Sequence, residues 1–285
     1  MGQLSAFALT TLGRIPFPLL YALSDLLAFL MFQIFGYRKE TIRQNLQNSF
    51  PELSETQYKA IERASARNFC DVMLENLKLL TLSKKSLRKR MKLVNPEILE
   101  KLEKDEQGIV LITAHYNNWE WMGLSLSTYT NQNINGVYKP LSNKSIDALM
   151  LKSRERFGTQ LSPMSSFAKK VLSPKGRKSI NIMLADQSPH KDKVDFFCEF
   201  LGQDTPVFLG PEKLMKAGQM KLYFIEVHRL KRGYYEMKIV PLVDADPEKK
   251  GSATLAHVKH LEQIIQANPE NWLWSHRRWK NSRKK

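Results

Sequence analysis

The sequence predicts an α/β fold in which helices flank a mostly parallel central sheet. Two continuous apolar runs, "IVLITAH" and "SINIMLADQ", are typical of strands that are buried on both faces of a parallel sheet. Segments with helical spacing lie between the predicted strands, and this alternation of strand and helix favours parallel order. A long apolar stretch near the amino terminus adds a helix that stands outside the alternation.

That apolar stretch predicts a division of the chain into two parts, a membrane-anchor segment over residues 1–37 and a globular domain over residues 38–285. Between Arg14 and Arg38 the only charged residue is Asp25, and the run is long enough to cross a bilayer. Basic residues directly after the run predict that this end stays on the cytoplasmic side of a membrane.

An alternative interpretation of the same stretch stays open. Pro16, Pro18 and Asp25 make it an imperfect spanning helix, and they are also compatible with an apolar helix hairpin that packs on the globular domain. A cleavable signal peptide fits poorly, because the apolar run is too long and no small residues follow it.

The elements after the anchor follow from turn and cap signals. A basic helix is expected to end near Pro51, and Ser54 followed by Gln57 predicts a capping box that starts a second helix, which runs to about Leu82. Beyond residue 90 the pattern predicts short strands that alternate with helices. The later segments "KLYFIEVHRL" and "YYEMKIVPL" are expected to pair as a hairpin through residues 231–233.

The composition limits the partners and cofactors. Lys and Arg number 44 against 28 Asp and Glu, a formal net charge of +16 that favours an acidic partner: nucleic acid, an anionic membrane surface or an acidic carrier protein. Cys70 and Cys198 show no ligand spacing, so neither a disulfide framework nor a metal site is predicted. No nucleotide or flavin motif is present, and no cofactor is expected.

The segment "TAHYNNWEW" contains the residues best suited to chemistry. His115 ends a predicted buried strand, and Glu120 falls in the first turn of the next helix if the chain turns sharply between them. Asn117 is suited to that turn, because asparagine adopts a left-handed conformation more readily than most residues. A carboxylate that orients an imidazole makes it a general base for an alcohol. Alternatively, Glu120 only closes a capping box and His115 is a buried structural histidine.

The carboxyl-terminal segment "NWLWSHRRWK" interleaves tryptophans with basic residues. Trp272, Trp274 and Trp279 could stack on nucleic-acid bases, lie at a membrane headgroup layer, or belong to the core. The apolar stretch at the other end of the chain favours a membrane, and a nucleic-acid partner is not expected.

Four segments in order, "RQNLQNSFPELS", "AHYNNWEW", "LADQSP" and "PENWLWSHRRWK", resemble the bacterial lipid A biosynthesis late acyltransferase family, the lauroyl and myristoyl transferases. The resemblance covers nearly the whole chain. It implies a fold of the glycerolipid (lysophospholipid) acyltransferase type at the cytoplasmic face of the bacterial inner membrane. It further implies transfer of a fatty acyl group from acyl carrier protein to a hydroxyl of an anionic lipid A precursor, as part of lipopolysaccharide biosynthesis and without a cofactor.

The resemblance also assigns the catalytic pair. His115 would be the general base that deprotonates the acceptor hydroxyl, and Glu120 would orient it and stabilise its charge. Asn117 departs from the family, which usually has glycine there. Asparagine is the least costly replacement at a position with positive φ, so we expect activity to be retained.

Other residues would bind substrate. Asp186 matches an aspartate of the family at the end of a later strand, whereas Arg154 and Arg156 compete for one arginine that stabilises an oxyanion or holds a phosphate; spacing favours Arg154. By analogy, the segment "VDFFCEFLG" would line an acyl slot, although a buried strand explains it equally well. The residues of that slot would be Phe196, Phe197 and Phe200.

Three other functions remain open at this stage. The acceptor could be another lipid, such as an aminolipid or a lysophospholipid, because the same pair of residues serves any hydroxyl. With water as the acceptor the chain would be a thioester hydrolase. The basic charge alone would also suit a noncatalytic protein that binds membranes or nucleic acid.

Overall fold

The fold is built on a mostly parallel sheet of seven strands, as the sequence predicts. The computed structural model describes residues 9–104, 107–242, 246 and 248–283. Its strands are β1 (Met91–Leu93), β2 (Ile109–Thr113), β3 (Ile134–Tyr138), β4 (Thr159–Pro163), β5 (Ile180–Leu184), β6 (Phe196–Phe200), β7 (Gln203–Val207), β8 (Lys221–Lys231) and β9 (Tyr234–Pro241). The central sheet has the order β1-β9-β8-β2-β5-β3-β4, and β6 and β7 form a separate hairpin.

Helices cover both faces of this sheet. They are α1 (Phe17–Ala28, continued by a π-helical turn over Phe29–Ile34), α2 (Lys39–Ser49), α3 (Glu55–Lys78), α4 (Lys84–Arg90), α5 (Glu97–Lys104), α6 (Trp119–Leu126), α7 (Lys144–Arg154), α8 (Met164–Val171), α9 (Gly210–Gly218) and α10 (Ser252–Ala267). Short 3-10 turns cover Gly176–Lys178, Lys191–Lys193 and Pro269–Asn271.

The strand β2 shows why the sheet is buried on both faces. All five of its residues are buried. Val110 and Ile112 belong to one apolar core and Ile109 and Leu111 to the other, because successive side chains of a strand point to opposite faces. The strand pairs in parallel with β5 on one side and β8 on the other, whereas β8 and β9 form the predicted antiparallel hairpin. The carboxyl ends of β2, β3 and β5 therefore meet at one edge of the sheet.

The capping box expected at the start of α3 is confirmed. The backbone N–H of Ser54 donates to Oε1 of Gln57 at 2.8 Å, and the Ser54 side chain accepts from the Gln57 backbone. The helix ends at Lys78, a little earlier than predicted, and continues as a turn. This long helix is the support on which the apolar amino-terminal helix rests.

The apolar segment packs along α3 and keeps one apolar face exposed. Leu20, Ala28 and Phe32 are buried at the helical spacing of one face. Residues 17–34 are long and apolar enough to cross a membrane by length and composition, and only 22% of that window is buried. The packing agrees with the alternative interpretation of a helix on the domain, and an anchoring role stays a prediction. Residues 1–8 of the predicted anchor lie outside the described residues.

The carboxyl-terminal tryptophans belong to the core. Trp272 and Trp274 are buried with ring centroids 4.7 Å apart, and Trp279 lies 6.0 Å from Trp272. Phe200 of β6 packs against them, 5.8 Å from the Trp272 ring. Of the three interpretations of this segment, the structure supports the core and not a stacking platform at the surface.

Candidate active site

The site begins where β2 ends and the chain turns into α6. Asn117 has a φ of 51°, the left-handed conformation that the sequence predicts, and its side-chain amide donates to the Val227 carbonyl at 2.6 Å. Asn118 then caps α6, because its Oδ1 accepts from the backbone N–H of Trp121 at 2.8 Å. His115 accordingly lies on the turn and Glu120 in the first turn of α6, as expected.

The partner of His115 is Asp186. Nδ1 of the imidazole lies 2.7 Å from Oδ1 of Asp186, and the His115 backbone N–H donates to Oδ2 at 3.0 Å. The register of the sheet explains the pairing. Thr113 of β2 is aligned with Leu184 of β5, and each of the two paired residues lies two positions beyond these strand ends.

Asp186 is held as a buried anion. Burial alone would raise its pKa, but the charge and hydrogen bonds of His115, together with a 3.0 Å hydrogen bond from the Trp272 indole N–H, outweigh this and lower the pKa to about 2. An ionised carboxylate only accepts hydrogen bonds, so Nδ1 of His115 carries the hydrogen. In the neutral ring the lone pair then lies on Nε2, on the partly exposed side, where the amide of Gln187 approaches to 3.2 Å.

Glu120 has a different partner from the one that the sequence predicts. Arg154 of α7 donates from Nε to Oε2 at 2.9 Å and from Nη2 to Oε1 at 2.6 Å, a bidentate ion pair. Burial lowers the pKa of Arg154, but the charge of Glu120 more than offsets this, so that the pKa is raised overall. The expected contact between Glu120 and His115 is thus replaced by two separate pairs at one edge of the sheet.

The choice between the two candidate arginines also follows from position. Arg154 ends α7 and reaches the site, whereas an Nη1 donor of Arg156 bonds to the Leu79 carbonyl just beyond α3. The structure therefore brings together His115, Asp186, Glu120 and Arg154 at the carboxyl edge and leaves Arg156 outside.

A sequence profile described as "Bacterial lipid A biosynthesis acyltransferase" matches residues 2–281 of this chain. The chain belongs to this family. A lipid A biosynthesis acyltransferase of Haemophilus influenzae is 24% identical over 95% of this chain and 85% of its own length. The lauroyltransferase and the palmitoleoyltransferase of Escherichia coli lipid A biosynthesis are 22% and 19% identical, each over 94% of this chain and 87% of its own length.

The three phenylalanines of this acyltransferase that were candidates for an acyl slot do not share one wall. Phe196 and Phe200 pack against the core, whereas Phe197 lies on the other face of β6, with the Arg283 guanidinium 4.5 Å from its ring centroid. The separation arises because successive side chains of a β-strand point to opposite faces of the sheet. A shared role for all three side chains in one slot remains a prediction.

One buried carboxylate beneath the turn was not predicted from the sequence. Glu75 of α3 accepts from the Asn118 amide at 2.6 Å, the Tyr235 hydroxyl at 2.8 Å and the Tyr21 hydroxyl at 2.7 Å. Burial raises the pKa of Glu75. In the sequence this residue is one of many charges on a helix, and no local signal marks it. The structure shows that it connects the cap of α6 to the apolar helix α1.

Three further residues at the site lie within segments that the sequence already marks. Trp272 belongs to the tryptophan-rich end, yet its hydrogen bond to Asp186 is visible only in the fold. Gln187 directly follows Asp186 in the chain, and its proximity to His115 could have been expected from that adjacency. Trp119 adds an edge-on contact, with its ring centroid 5.0 Å from that of His115.

A cleft of about 810 Å³ lies away from this site. Met220, Leu222 and Tyr223 line it, at the start of β8. Because β8 is parallel to β2, that end of the sheet is opposite the edge that carries His115. The cleft is therefore not part of the candidate active site.

Proposed function

We propose that this acyltransferase moves a fatty acyl group from acyl carrier protein to a hydroxyl of a lipid A precursor or a closely related anionic lipid. The family membership supports the reaction class, and the pair of His115 with Asp186 supports the chemistry. The site would work at the cytoplasmic face of the bacterial inner membrane. The single observation that carries the proposal is a partly exposed imidazole held by a buried carboxylate at the carboxyl edge of the sheet.

In this mechanism Nε2 of His115 removes the proton of the acceptor hydroxyl as the oxygen attacks the thioester carbonyl carbon. The carbon–sulfur bond then breaks, an ester bond forms, and the departing thiolate takes the proton from the imidazolium. No covalent bond to the protein is needed. Asp186 acts as a positioning residue, because it fixes the tautomer and stabilises the cation that forms on His115.

Glu120 would act through Arg154 in this proposal. The bidentate pair holds the guanidinium at the edge of the site, where its positive charge can bind an anionic group of the substrate or stabilise the oxyanion that develops on the carbonyl. Glu120 therefore stays important in the proposed reaction, but it acts through the Arg154 guanidinium and not through His115.

The charge of the chain supports both proposed partners. A formal charge of +16 favours an acidic carrier protein as donor and an anionic lipid as acceptor. Complementary charge speeds encounter and falls off with salt. We expect the transfer rate at low donor concentration to fall as ionic strength rises.

The proposal is tested with the purified full chain, lauroyl and palmitoleoyl acyl carrier proteins as donors, and a lipid A precursor in detergent, with products identified by mass spectrometry. We expect one added acyl group in the acceptor and at least about a hundredfold loss of rate in His115→Ala. His190→Ala is the matched control, since this histidine is exposed and pairs with Asp192 instead.

The same assay separates the competing functions. A lysophospholipid or an aminolipid as the preferred acceptor would replace lipid A in the proposal, and release of free fatty acid without acyl transfer would indicate a hydrolase. Full turnover by His115→Ala would contradict the mechanism. No transfer from either donor to any acceptor would contradict the proposed function.

A further inference from the structure

The exposed apolar side chains of this protein are concentrated on one segment. Of the twelve large apolar side chains that are exposed among the described residues, six lie between residues 19 and 37, in and just after α1. They are Leu19, Leu26, Phe29, Ile34, Phe35 and Tyr37. Soluble monomers rarely expose apolar surface in one place, so a concentration of this kind marks an interaction site.

The helix that carries this surface is fastened to the domain by polar bonds. The Tyr21 hydroxyl donates to Glu75 at 2.7 Å, and the Ser24 hydroxyl donates to Asp71 at 2.6 Å. Both acceptors are buried residues of α3. These hydrogen bonds are costly to break, because a buried acceptor would lose a partner without gaining one from water. We therefore infer that α1 is a fixed part of the domain.

The tip of the β8–β9 hairpin also binds this helix, through Arg232, which bonds Asp71 of α3 as well. Arg232 forms an ion pair with Asp25 at 2.9 Å, and its guanidinium lies 4.5 Å from the centroid of the Tyr21 ring. Gly233 has a φ of 74°, and a Cβ atom at this position would lie 2.1 Å from the Tyr21 hydroxyl. Only glycine allows this close approach. The neighbouring Leu230 is 57% exposed and extends the apolar surface.

This packing makes a membrane crossing by α1 unfavourable. If α1 spanned the bilayer, α3 would lie in the hydrocarbon beside it, together with exposed charges such as Arg63 and Arg67. Placing one such charge at the centre of a bilayer costs about 3 kcal/mol on insertion scales. A helix that lies in the interface instead buries its apolar face between headgroups and acyl chains and leaves the charges of the domain in water.

Basic residues border the apolar surface. Arg38 and Lys39 follow the segment directly, Arg67 pairs with Asp25 at 3.1 Å, and Lys231 adjoins Leu230 at the hairpin tip; all four basic residues are exposed. Anionic lipid headgroups attract such residues by about 1 kcal/mol each. Glu40 adds one exposed acid after Lys39, and Asp25 is offset by its ion pairs with Arg67 and Arg232, so the border of the apolar surface stays basic and suits an anionic bilayer.

We propose that residues 17–37 and the β8–β9 hairpin tip form a monotopic contact surface that lies in the plane of an anionic bilayer and does not cross it. This deepens the membrane attachment in the proposed function. The surface is linked to the site by packing, because the Phe17 ring lies edge-on against Trp121 of α6, the helix that carries Glu120, with ring centroids 6.1 Å apart.

The first test asks on which side of the membrane the amino terminus lies. Cys70 and Cys198 are replaced by alanine, and a single cysteine is introduced by Ser5→Cys or, as a reporter of the domain, by Lys238→Cys. A membrane-impermeant maleimide is added to intact or permeabilised spheroplasts. We expect both cysteines to be labelled only after permeabilisation. Labelling of the Ser5→Cys chain in intact spheroplasts, with Lys238→Cys protected, would establish a crossing and overturn the proposal.

The second test measures binding of the purified full chain to vesicles of phosphatidylcholine and phosphatidylglycerol by flotation. Phe29→Asp with Phe35→Asp is expected to lower the bound fraction at least about tenfold, because two apolar anchors are replaced by charges that anionic lipids repel. Val94→Asp with Leu255→Asp is the matched control; these residues are 46% and 43% exposed on other elements.

Equal binding by the two double variants would contradict the proposed surface, and thermal unfolding confirms that each is folded. The result does not depend on enzyme activity. Transfer to a detergent-solubilised acceptor is measured in parallel, so failure of the proposed function and failure of this surface are distinguishable.

Discussion

Two carboxylates lie at the carboxyl edge of the sheet, Asp186 after β5 and Glu120 in the first turn of α6, and they differ in what they bind. Asp186 accepts from the imidazole and the backbone N–H of His115 and from the Trp272 indole. Glu120 accepts two hydrogen bonds from the Arg154 guanidinium. One carboxylate therefore positions the proposed base, and the other holds a positive charge at the same edge of the sheet.

Sheet register, and not spacing along the chain, determines which carboxylate pairs with His115. Thr113 and Leu184 are aligned in adjacent parallel strands, which sets His115 opposite Asp186. Glu120 is only five positions from His115 in the chain, but an interval of five is a poor match for one helix face.

If Asp186 and Glu120 have these separate roles, their substitution should lower the reaction rate by very different factors. We expect Asp186→Asn to lower kcat/KM by about a hundredfold to ten-thousandfold, because an amide no longer fixes the tautomer or stabilises the imidazolium. Glu120→Gln should lose only about tenfold, since an amide oxygen still accepts one hydrogen bond from Arg154. Steady-state kinetics with acyl carrier protein donors measure both. A larger loss in Glu120→Gln would reverse the assignment of the two carboxylates.

A double-mutant cycle measures whether Glu120 and Arg154 act as one unit. If Glu120 acts through Arg154, the losses of transition-state stabilisation from Glu120→Gln and Arg154→Met should not add. We expect a coupling free energy of about 1 kcal/mol between these two sites, close to the whole loss from Glu120→Gln. The control cycle pairs Glu120→Gln with Asp186→Asn, for which the same assay should give losses that nearly add. Strong coupling in the control cycle and none in the first would contradict the separation into two pairs.

The fold and much of the site could be predicted from the sequence, for physical reasons that are local. Periodicity and caps predicted the strands, the hairpin and the turn at Asn117, whose φ is 51°. Strand ends placed His115 and Asp186 at one edge. The pairing of His115 with Asp186, in place of Glu120, could not be predicted. It depends on the register between β2 and β5, which lie about seventy residues apart in the chain. Glu75 depends on packing between α1, α3 and β9 and leaves no sequence pattern.

The pairing of Asp186 with His115 should also affect the stability of the protein in acid. The pKa of Asp186 is lowered from 3.8 to about 2 in the folded state. Its contribution is therefore fully present above about pH 4 and is lost as the pH falls toward about 2, a loss of about 2 kcal/mol. Urea unfolding between about pH 5 and about pH 2.5 should show a smaller loss in Asp186→Asn than in the unsubstituted protein. The same acid dependence in both would contradict the paired state of Asp186.

The turn between His115 and Glu120 should contribute a small part of the free energy of unfolding through the left-handed conformation of Asn117. Asn117→Ala should destabilise the protein by about 1 to 2 kcal/mol, because alanine is strained at positive φ. Asn117→Gly should cost less, since glycine keeps the turn and loses only the hydrogen bond to the Val227 carbonyl. Urea midpoints compare the two variants, and an alanine variant as stable as the glycine one would show that the turn does not need this conformation.

Nitrogen-15 NMR of the imidazole, at a pH where the ring is neutral, shows whether Asp186 or Glu120 holds His115. The predicted spectrum shows a protonated Nδ1 and an unprotonated Nε2 in the unsubstituted protein and in Glu120→Gln. In Asp186→Asn the two tautomers should mix. A tautomer that is unchanged in Asp186→Asn and disturbed in Glu120→Gln would contradict the account.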